Sequence, residues 1–196
     1  MANIYNLFKF LEDKKGKKIP LRAKLTHAPE TIEKEDLNVE GDLDLEDTKI
    51  SSLPDNLKVK GYLDLGNTPI SSLPDNLTVG GSLYLKNTPI SSLPDNLTVK
   101  GNLDLYKTKI SSLPDNLTVE GDLDLENTQI SSLPENLKVG GYLSLLNTKI
   151  SSLPDNLKVR GNLFLDQTPL AKKYSKEQIR QMIEKKGGEV EGGIYI

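Results

Sequence analysis

The chain contains no cysteine, no tryptophan, two methionines and a single histidine, His27. Without cysteine there is no disulfide, no thiolate metal site and no thiol nucleophile. With one histidine, lying outside the repeated region, neither a catalytic triad nor a His-based metal site can be assembled. Long hydrophobic runs are missing too, and no stretch approaches the roughly 20 apolar residues needed to span a bilayer. The opening MANIYNLFKFLEDKKGKK places acidic residues after a short apolar run and has no small-residue cleavage pattern. That argues against a secretory signal, and a cytoplasmic protein is expected. Aromatic residues make up only 5% of the chain, so where the few of them fall carries weight.

Charge is unevenly spread within a net of −3. Residues 1–40 hold 8 basic and 7 acidic side chains, residues 41–170 hold 11 and 17, and residues 171–196 hold 6 and 4. The acidity therefore sits in the middle of the chain. Lys14, Lys15, Lys17, Lys18, Arg22 and Lys24 form a basic run near the start, which reads as a solvated face.

What fills the middle is a unit of twenty residues, repeated in register from Gly41, Gly61, Gly81, Gly101, Gly121, Gly141 and Gly161. A fixed period of this length marks a solenoid, whose coils bury their apolar side only by stacking. In the row GYLDLGNTPISSLPDNLTVG, which starts at Gly61, the apolar positions are Leu63, Leu65, Ile70, Leu73, Leu77 and Val79. Val59, Gly61, Leu63 and Leu65 share one parity, the period-two signature of a strand with one buried face. A strand is expected over about residues 62–65, beginning as early as Val59. Asn67 suits a turn, Thr68 and Ile70 resume the inward parity, and Pro74 ends any ladder because it lacks an N–H.

Three segments follow from this pattern: an N-terminal cap over 1–40, the solenoid over 41–170 and a helix–strand cap over 171–196. Asn3 is placed to N-cap a short helix with Ile4, Leu7, Phe8 and Leu11 on one face, covering the first coil. Ser175 and Gln178 have capping-box spacing, Ile179, Met182 and Ile183 form a stripe, and Gly187-Gly188 stop the helix. The tail GEVEGGIYI reads as a last strand with Ile194 and Ile196 inward.

The recurring LxLxxTxIxxLP, as in Leu63, Leu65, Thr68, Ile70, Leu73 and Pro74, resembles the leucine-rich-repeat signature LxLxxNxLxxLP. The resemblance is nearest to the short twenty-residue repeats of bacterial effector proteins and covers about residues 41–170. The fold class it implies is a mainly β repeat solenoid with helical caps, a stack with a parallel sheet on its concave side that is commonly used to bind proteins. Two departures point to the alternative of a flatter parallel β-helix. Thr48, Thr68, Thr88, Thr108, Thr128, Thr148 and Thr168 replace the family's ladder asparagine. The family's first leucine position falls on Lys60, Gly80, Lys100, Glu120, Gly140 or Arg160, with valine one residue earlier. The ubiquitin-ligase activity of some of those effectors does not carry over, because it needs a separate domain with a catalytic cysteine.

Constant positions specify stacking, and the outward positions of the strand vary most. One outward column reads Asp44, Asp64, Tyr84, Asp104, Asp124, Ser144, Phe164, and the column two residues earlier Asp42, Tyr62, Ser82, Asn102, Asp122, Tyr142, Asn162. The column two residues later reads Glu46, Gly66, Lys86, Tyr106, Glu126, Leu146, Asp166. With coils about 4.8 Å apart, Asp44 should neighbour Asp64 and Asp104 should neighbour Asp124. Such like-charge neighbours cost about a kcal/mol or less in a watery setting. Acids interleaved with aromatics suit a protein interface. The expected contact residues are Asp42, Asp44, Tyr62, Asp64, Tyr84, Asp104, Tyr106, Asp122, Asp124, Tyr142 and Phe164. The bland reading of the same columns is solubilising filler copied with each duplicated row.

The expected function is therefore non-enzymatic recognition of a protein partner through this face, with no cofactor, no metal, no membrane and no direct nucleic acid. A partner with a basic or nucleic-acid-binding surface fits, as does a role as inhibitor or adaptor of bacterial or phage origin, which the resemblance implies more than the residues do. Two other classes remain open. Carboxylates about 5 Å apart match a retaining glycosidase pair, although exposed side chains supply no asymmetry to raise one pKa. Regular hydroxyl columns would also suit an ice-binding or templating solenoid.

Overall fold

The computed structural model describes residues 4–16, 18–95, 97–115 and 117–196. Asn3 and Lys17 lie outside them. The chain winds into a parallel β-solenoid in which each coil contributes two strands of two residues. One sheet of eight strands runs from Asn38–Val39 through Lys58–Val59, Thr78–Val79, Thr98–Val99, Thr118–Val119, Lys138–Val139 and Lys158–Val159 to Glu189–Val190. The other runs from Leu43–Asp44 through Leu63–Asp64, Leu83–Tyr84, Leu103–Asp104, Leu123–Asp124, Leu143–Ser144 and Leu163–Phe164 to Ile194–Tyr195. We call them the valine sheet and the leucine sheet.

The single strand expected from Val59 to Leu65 is thus broken in two, and the glycine explains the break. Gly61 N–H donates to Gly41 O at 3.0 Å, and the same bond recurs from Gly81 to Gly61, 2.9 Å, and from Gly121 to Gly101, 3.1 Å. The corner glycines stack directly on one another. A Cβ built on Gly81 would lie 2.9 Å from the carbonyl carbon and oxygen of Gly61, so only glycine fits directly over the corner of the preceding coil.

Inside, Val59, Leu63, Leu65, Ile70, Leu73 and Leu77 and their counterparts form one continuous core, buried except at its ends, where Val39 and Ile196 are partly buried. Each buried aliphatic side chain contributes about 1.5–3 kcal/mol, and each coil shares that burial with two neighbours. The threonines point inward, as their parity requires. Thr68, Thr108 and Thr168 donate Oγ1 to the carbonyls of Leu65, Leu105 and Leu165 at 2.6, 2.8 and 2.7 Å. Threonine therefore satisfies a carbonyl of its own coil, and from Thr68 to Thr168 the column is buried. The threonine column is therefore not on the surface, whereas both serines of each Ser-Ser step are exposed. The residue before each threonine adopts a left-handed backbone, with φ 57° at Asn67 and 56° at Asn87, a conformation asparagine tolerates better than most residues. Their side chains also pair between coils, Asn87 Nδ2 donating to Asn67 Oδ1 at 2.9 Å.

Two arginines close the open edges of the stack. Within the stack, carbonyls such as Val59 O and Gly61 O accept N–H groups of Gly80 and Gly81 in the next coil. Their last-coil counterparts, Val190 O and Gly192 O, accept instead from Arg180 at 2.8 and 2.9 Å. At the first coil Arg22 donates to Asp44 O. A guanidinium on the edge carbonyls blocks end-to-end pairing.

The N-terminal cap differs from expectation. Helix α1 (Ile4–Lys15) buries Phe8, with Leu11 half-buried, in a small separate core with Ile19 and Ala28. Ile4 and Leu7 are exposed. Helix α2 (Leu21–His27) supplies Leu21 to the main core, and Leu25 and Ile32 pack against that core. The first coil is therefore covered by α2 and the turns after it, while α1 leans on them. Its buried face is turned toward Phe8 and Glu12 because Glu12 is drawn to Lys24, at 2.9 Å. Lys24 is 1% exposed, which removes it from the solvated basic run.

At the other end Thr168 caps α3 (Pro169–Lys173), accepting from Ala171 N at 3.1 Å. The Ser175–Gln178 capping box opens α4 (Lys176–Lys185), which buries Ile179 and Ile183. Gly187, with φ +75°, ends it. The tail forms two strands rather than one, Glu189–Val190 and Ile194–Tyr195, which extend both sheets by a coil.

Candidate functional site

All the predicted contact residues lie on the outer face of the leucine sheet. The central column is in register from Asp44 through Asp64, Tyr84, Asp104, Asp124 and Ser144 to Phe164. Asp104 does neighbour Asp124, and Asp44 does neighbour Asp64. Tyr62 and Tyr84 meet edge to face, with ring centroids 6.1 Å apart. Tyr142 and Phe164 do the same at 5.9 Å. Tyr195, in register with Phe164, stacks on it at 5.0 Å. Tyr195 therefore belongs to the face, beyond the expected contact residues. The match of Gly-Gly-Ile-Tyr-Ile to the Gly-x-Leu-x-Leu of the coils was the available signal.

The aspartates turn out to work for the fold as well as for the surface. Asp44, Asp64, Asp104 and Asp124 each accept, through Oδ1, the backbone N–H two residues on, at 3.0, 2.8, 2.9 and 2.8 Å. These are Asx turns that lead the chain out of the strand. In the neighbouring column Asp42 accepts from Tyr62 N at 2.9 Å and Asp122 from Tyr142 N at 2.8 Å. Ser82 and Asn102 do the same for the coil after them. Asp, Asn and Ser alternate there because all present a short acceptor. Neither filler nor recognition alone explains these positions, since the turn and the corner need the oxygen but not the charge.

The charges are distributed unequally along the face. Arg22 pairs with Asp44 at 3.2 Å. Lys86 reaches Glu46 at 2.8 Å across Gly66, which leaves room for its stem. Burial pushes the carboxyls of Asp64 and Asp124 above the ordinary aspartate range, with nearby carboxylates adding to the shift and their turn N–H groups opposing it. The expectation that exposed acids would share one environment is corrected at these two residues. Tyr142 is likewise raised, by burial and then by Asp124, Asp122 and Asp104. Ser144, 4% exposed between Asp124 and Phe164, opposes the rise of the Asp124 carboxyl through its hydroxyl. Among the described residues no group of three His, Asp or Glu side chains is placed to hold a metal ion, and no helix is long and apolar enough to cross a membrane.

No family model, curated protein or solved structure matches this chain.

The raised carboxyls give a pH test. A raised carboxyl pKa means the folded chain holds the proton more tightly than the unfolded chain, so stability falls as pH rises through the shifted range. Asp124→Asn keeps the turn acceptor and removes the charge. It is expected to melt above wild type at neutral pH, with the gap closing on acidification as Asp124 itself takes up a proton. Asp124→Ala also loses the turn bond and is expected to fall below Asp124→Asn by about 0.5–1.5 kcal/mol. Thermal melts followed by circular dichroism at both pH values check the order, and a gap that widens in acid contradicts it.

Proposed function

We propose that this chain is a non-enzymatic binding protein that contacts another protein through the outer face of its leucine sheet. One observation carries the reading. A single continuous face gathers two aromatic clusters, Tyr62–Tyr84 and Tyr142–Phe164–Tyr195, on either side of the carboxylates of Asp104, Asp122 and Asp124. Aromatic anchors give contact area at low entropic cost, and the acids between them steer a basic partner. The valine sheet offers no such contrast, because Lys138, Lys158 and Arg160 alternate there with Glu120, Glu189 and Glu191 around a groove of about 560 Å³. The leucine-rich-repeat resemblance of LxLxxTxIxxLP supports the same reading, since the sheets of such stacks commonly bind proteins. A basic partner that otherwise holds nucleic acid fits the charge.

The glycosidase reading draws on the same Asp104–Asp124 pair and gains from the raised Asp124 carboxyl. One oxygen of each, however, already accepts a turn N–H, which holds both carboxylates to the fold. A hydrolysis screen against glycans tests that reading, and turnover abolished by Asp124→Asn would establish it.

For the binding reading, a photo-cross-linking residue at position 84 is expected to trap a partner in host lysate, and the same residue at position 78 of the valine sheet is not. Combining Asp64→Asn, Tyr84→Ala and Asp104→Asn should abolish capture while leaving the circular-dichroism spectrum unchanged. Trapping from position 78 alone, or capture that survives the triple substitution, would sink the assignment.

A further inference from the structure

Among the described residues, three of the four large hydrophobic side chains that stand exposed belong to one helix. Ile4, Leu7 and Phe10 of α1 are 39%, 49% and 50% exposed, and the fourth is Tyr195 on the leucine-sheet face. Spacings of three residues set Ile4, Leu7 and Phe10 on adjoining rows of the helix surface. Only Phe8 is buried, against Ile19 and Ala28, so the apolar arc of α1 is wider than the surface it rests on. Cations continue that arc: Lys14 lies one turn beyond Phe10, and Lys15 one turn beyond Leu11. Both are exposed, as is Lys18, and none of the three has an ion pair among the described residues. Of the two acids of α1, Glu12 is engaged by Lys24 at 2.9 Å and accepts from Ile19 N at 3.2 Å. Asp13, beside Phe10, is the other. Residues 1–19 hold five lysines against two acids, so this segment carries +3 and the rest of the chain −6.

We propose that α1 lies in the interface of an anionic lipid membrane, with Ile4, Leu7 and Phe10 at the acyl boundary and Lys14, Lys15 and Lys18 on the headgroup phosphates. An interfacial helix needs an apolar stripe bordered by cations. Such a helix spans nothing, so the missing bilayer-crossing run does not argue against this contact. Size favours lipid over a protein surface. The 12 residues of α1 make a helix about 18 Å long and about 10 Å wide, a footprint of roughly 200 Å². A stable protein interface takes about 800 Å² from each partner, so this stripe alone holds neither a second copy nor a rigid partner. A bilayer sets no such threshold, because apolar contact and attraction to anionic lipid add. Charge then sets the orientation: the surface attracts the +3 segment and repels the acidic remainder. The inference does not depend on the leucine-sheet reading.

The test exploits the absence of tryptophan from the chain. The full chain carrying Phe10→Trp is titrated with vesicles of phosphatidylcholine alone or of its equal mixture with phosphatidylserine. On the mixed vesicles the emission is expected to shift to the blue and to be quenched by acyl-brominated lipid. Phosphatidylcholine alone should bind roughly tenfold more weakly or worse. Tyr84→Trp, on the leucine sheet, is the control and should stay unquenched. Co-flotation with the mixed vesicles reads the remaining variants. Leu7→Ser with Phe10→Ser, both at exposed positions and expected to leave the thermal melt unchanged, should cut flotation roughly tenfold. Replacing Lys14, Lys15 and Lys18 by glutamine should do the same and remove the salt dependence. Equal partition to the two vesicles, no blue shift, or flotation that survives the double serine substitution overturns the proposal. So does a dimer in lipid-free solution that Phe10→Ser dissociates, which would assign the stripe to a second copy.

Discussion

Replacing Gly121 by alanine is expected to cost about 4 kcal/mol or more, the range reserved for frank steric or burial failures. The added Cβ would lie 2.3 Å from Asn102 Oδ1 and 2.8 Å from both the carbonyl carbon and the oxygen of Gly101. A side-chain oxygen can swing away, but a backbone carbonyl cannot. Gly101 O is also the acceptor for Gly121 N–H at 3.1 Å, and Gly121 O accepts from Gly141 at 2.8 Å. Any retreat therefore pulls apart two coil interfaces, and in a stack stabilised by nearest neighbours both losses count. The matched control is Gly41→Ala. Gly41 occupies the same position in the first coil, where no earlier coil lies beneath it, and nothing stands within 4 Å of its Cβ site. It should change stability by no more than about 0.5 kcal/mol. Urea denaturation of the two variants separates them, and similar midpoints would remove the stacked-glycine account.

That contrast shows what the repeat made legible. Inward Leu, Ile, Val and Thr, the asparagine turns and the Ser175 capping box were readable because each depends on parity or on neighbours a few residues away. Gly61 recurs visibly, yet its role as a corner that splits one strand into two sheets depends on the coil beneath it. The outward columns were readable as a face but not in their details. An Asx turn at Asp64 or Asp124 is local and could have been seen in the sequence. The burial of Ser144 could not, because it follows from the larger Asp124, Phe164 and Tyr142 around a small side chain. Least legible was the N-terminal cap, which has no repeat to read against. Its helices are positioned by one buried lysine whose partners are scattered over twenty-five positions from Glu12 to Asp36.

Lys24→Met should open that cap. Nζ lies 2.9 Å from Glu12 Oε1 on α1, 2.8 Å from Asp36 Oδ2 and 3.3 Å from the carbonyl of Thr31, so each ammonium hydrogen has an acceptor. Asp36 Oδ2 in turn accepts from Glu33 N at 2.9 Å, inside a turn whose capping box it completes. Methionine matches the length of the lysine stem but donates nothing, and it leaves the buried Asp36 carboxylate without its cation. Removing one partner of a buried ion pair costs about 3–5 kcal/mol. The lysine is held above its ordinary pKa: burial opposes the charge, but its hydrogen bonds to Asp36 and Glu12 outweigh it. A raised lysine pKa gives stability that is complete at neutral pH and is lost only as pH climbs through the shifted value, so neutral conditions show the full effect. Because Leu21 is the cap's buried contribution to the main core, the loss should be regional. Amides of α1 and α2 are expected to exchange faster in Lys24→Met, while those of Leu103 and Leu123 keep wild-type protection. Adding Asp36→Leu and Glu12→Gln, which removes the stranded acids, should restore much of the protection, since a buried ion pair replaced by apolar groups is often neutral or better. Uniform acceleration throughout the stack would instead mean that the cap and the coils unfold as one unit, and that Lys24 holds the whole solenoid closed.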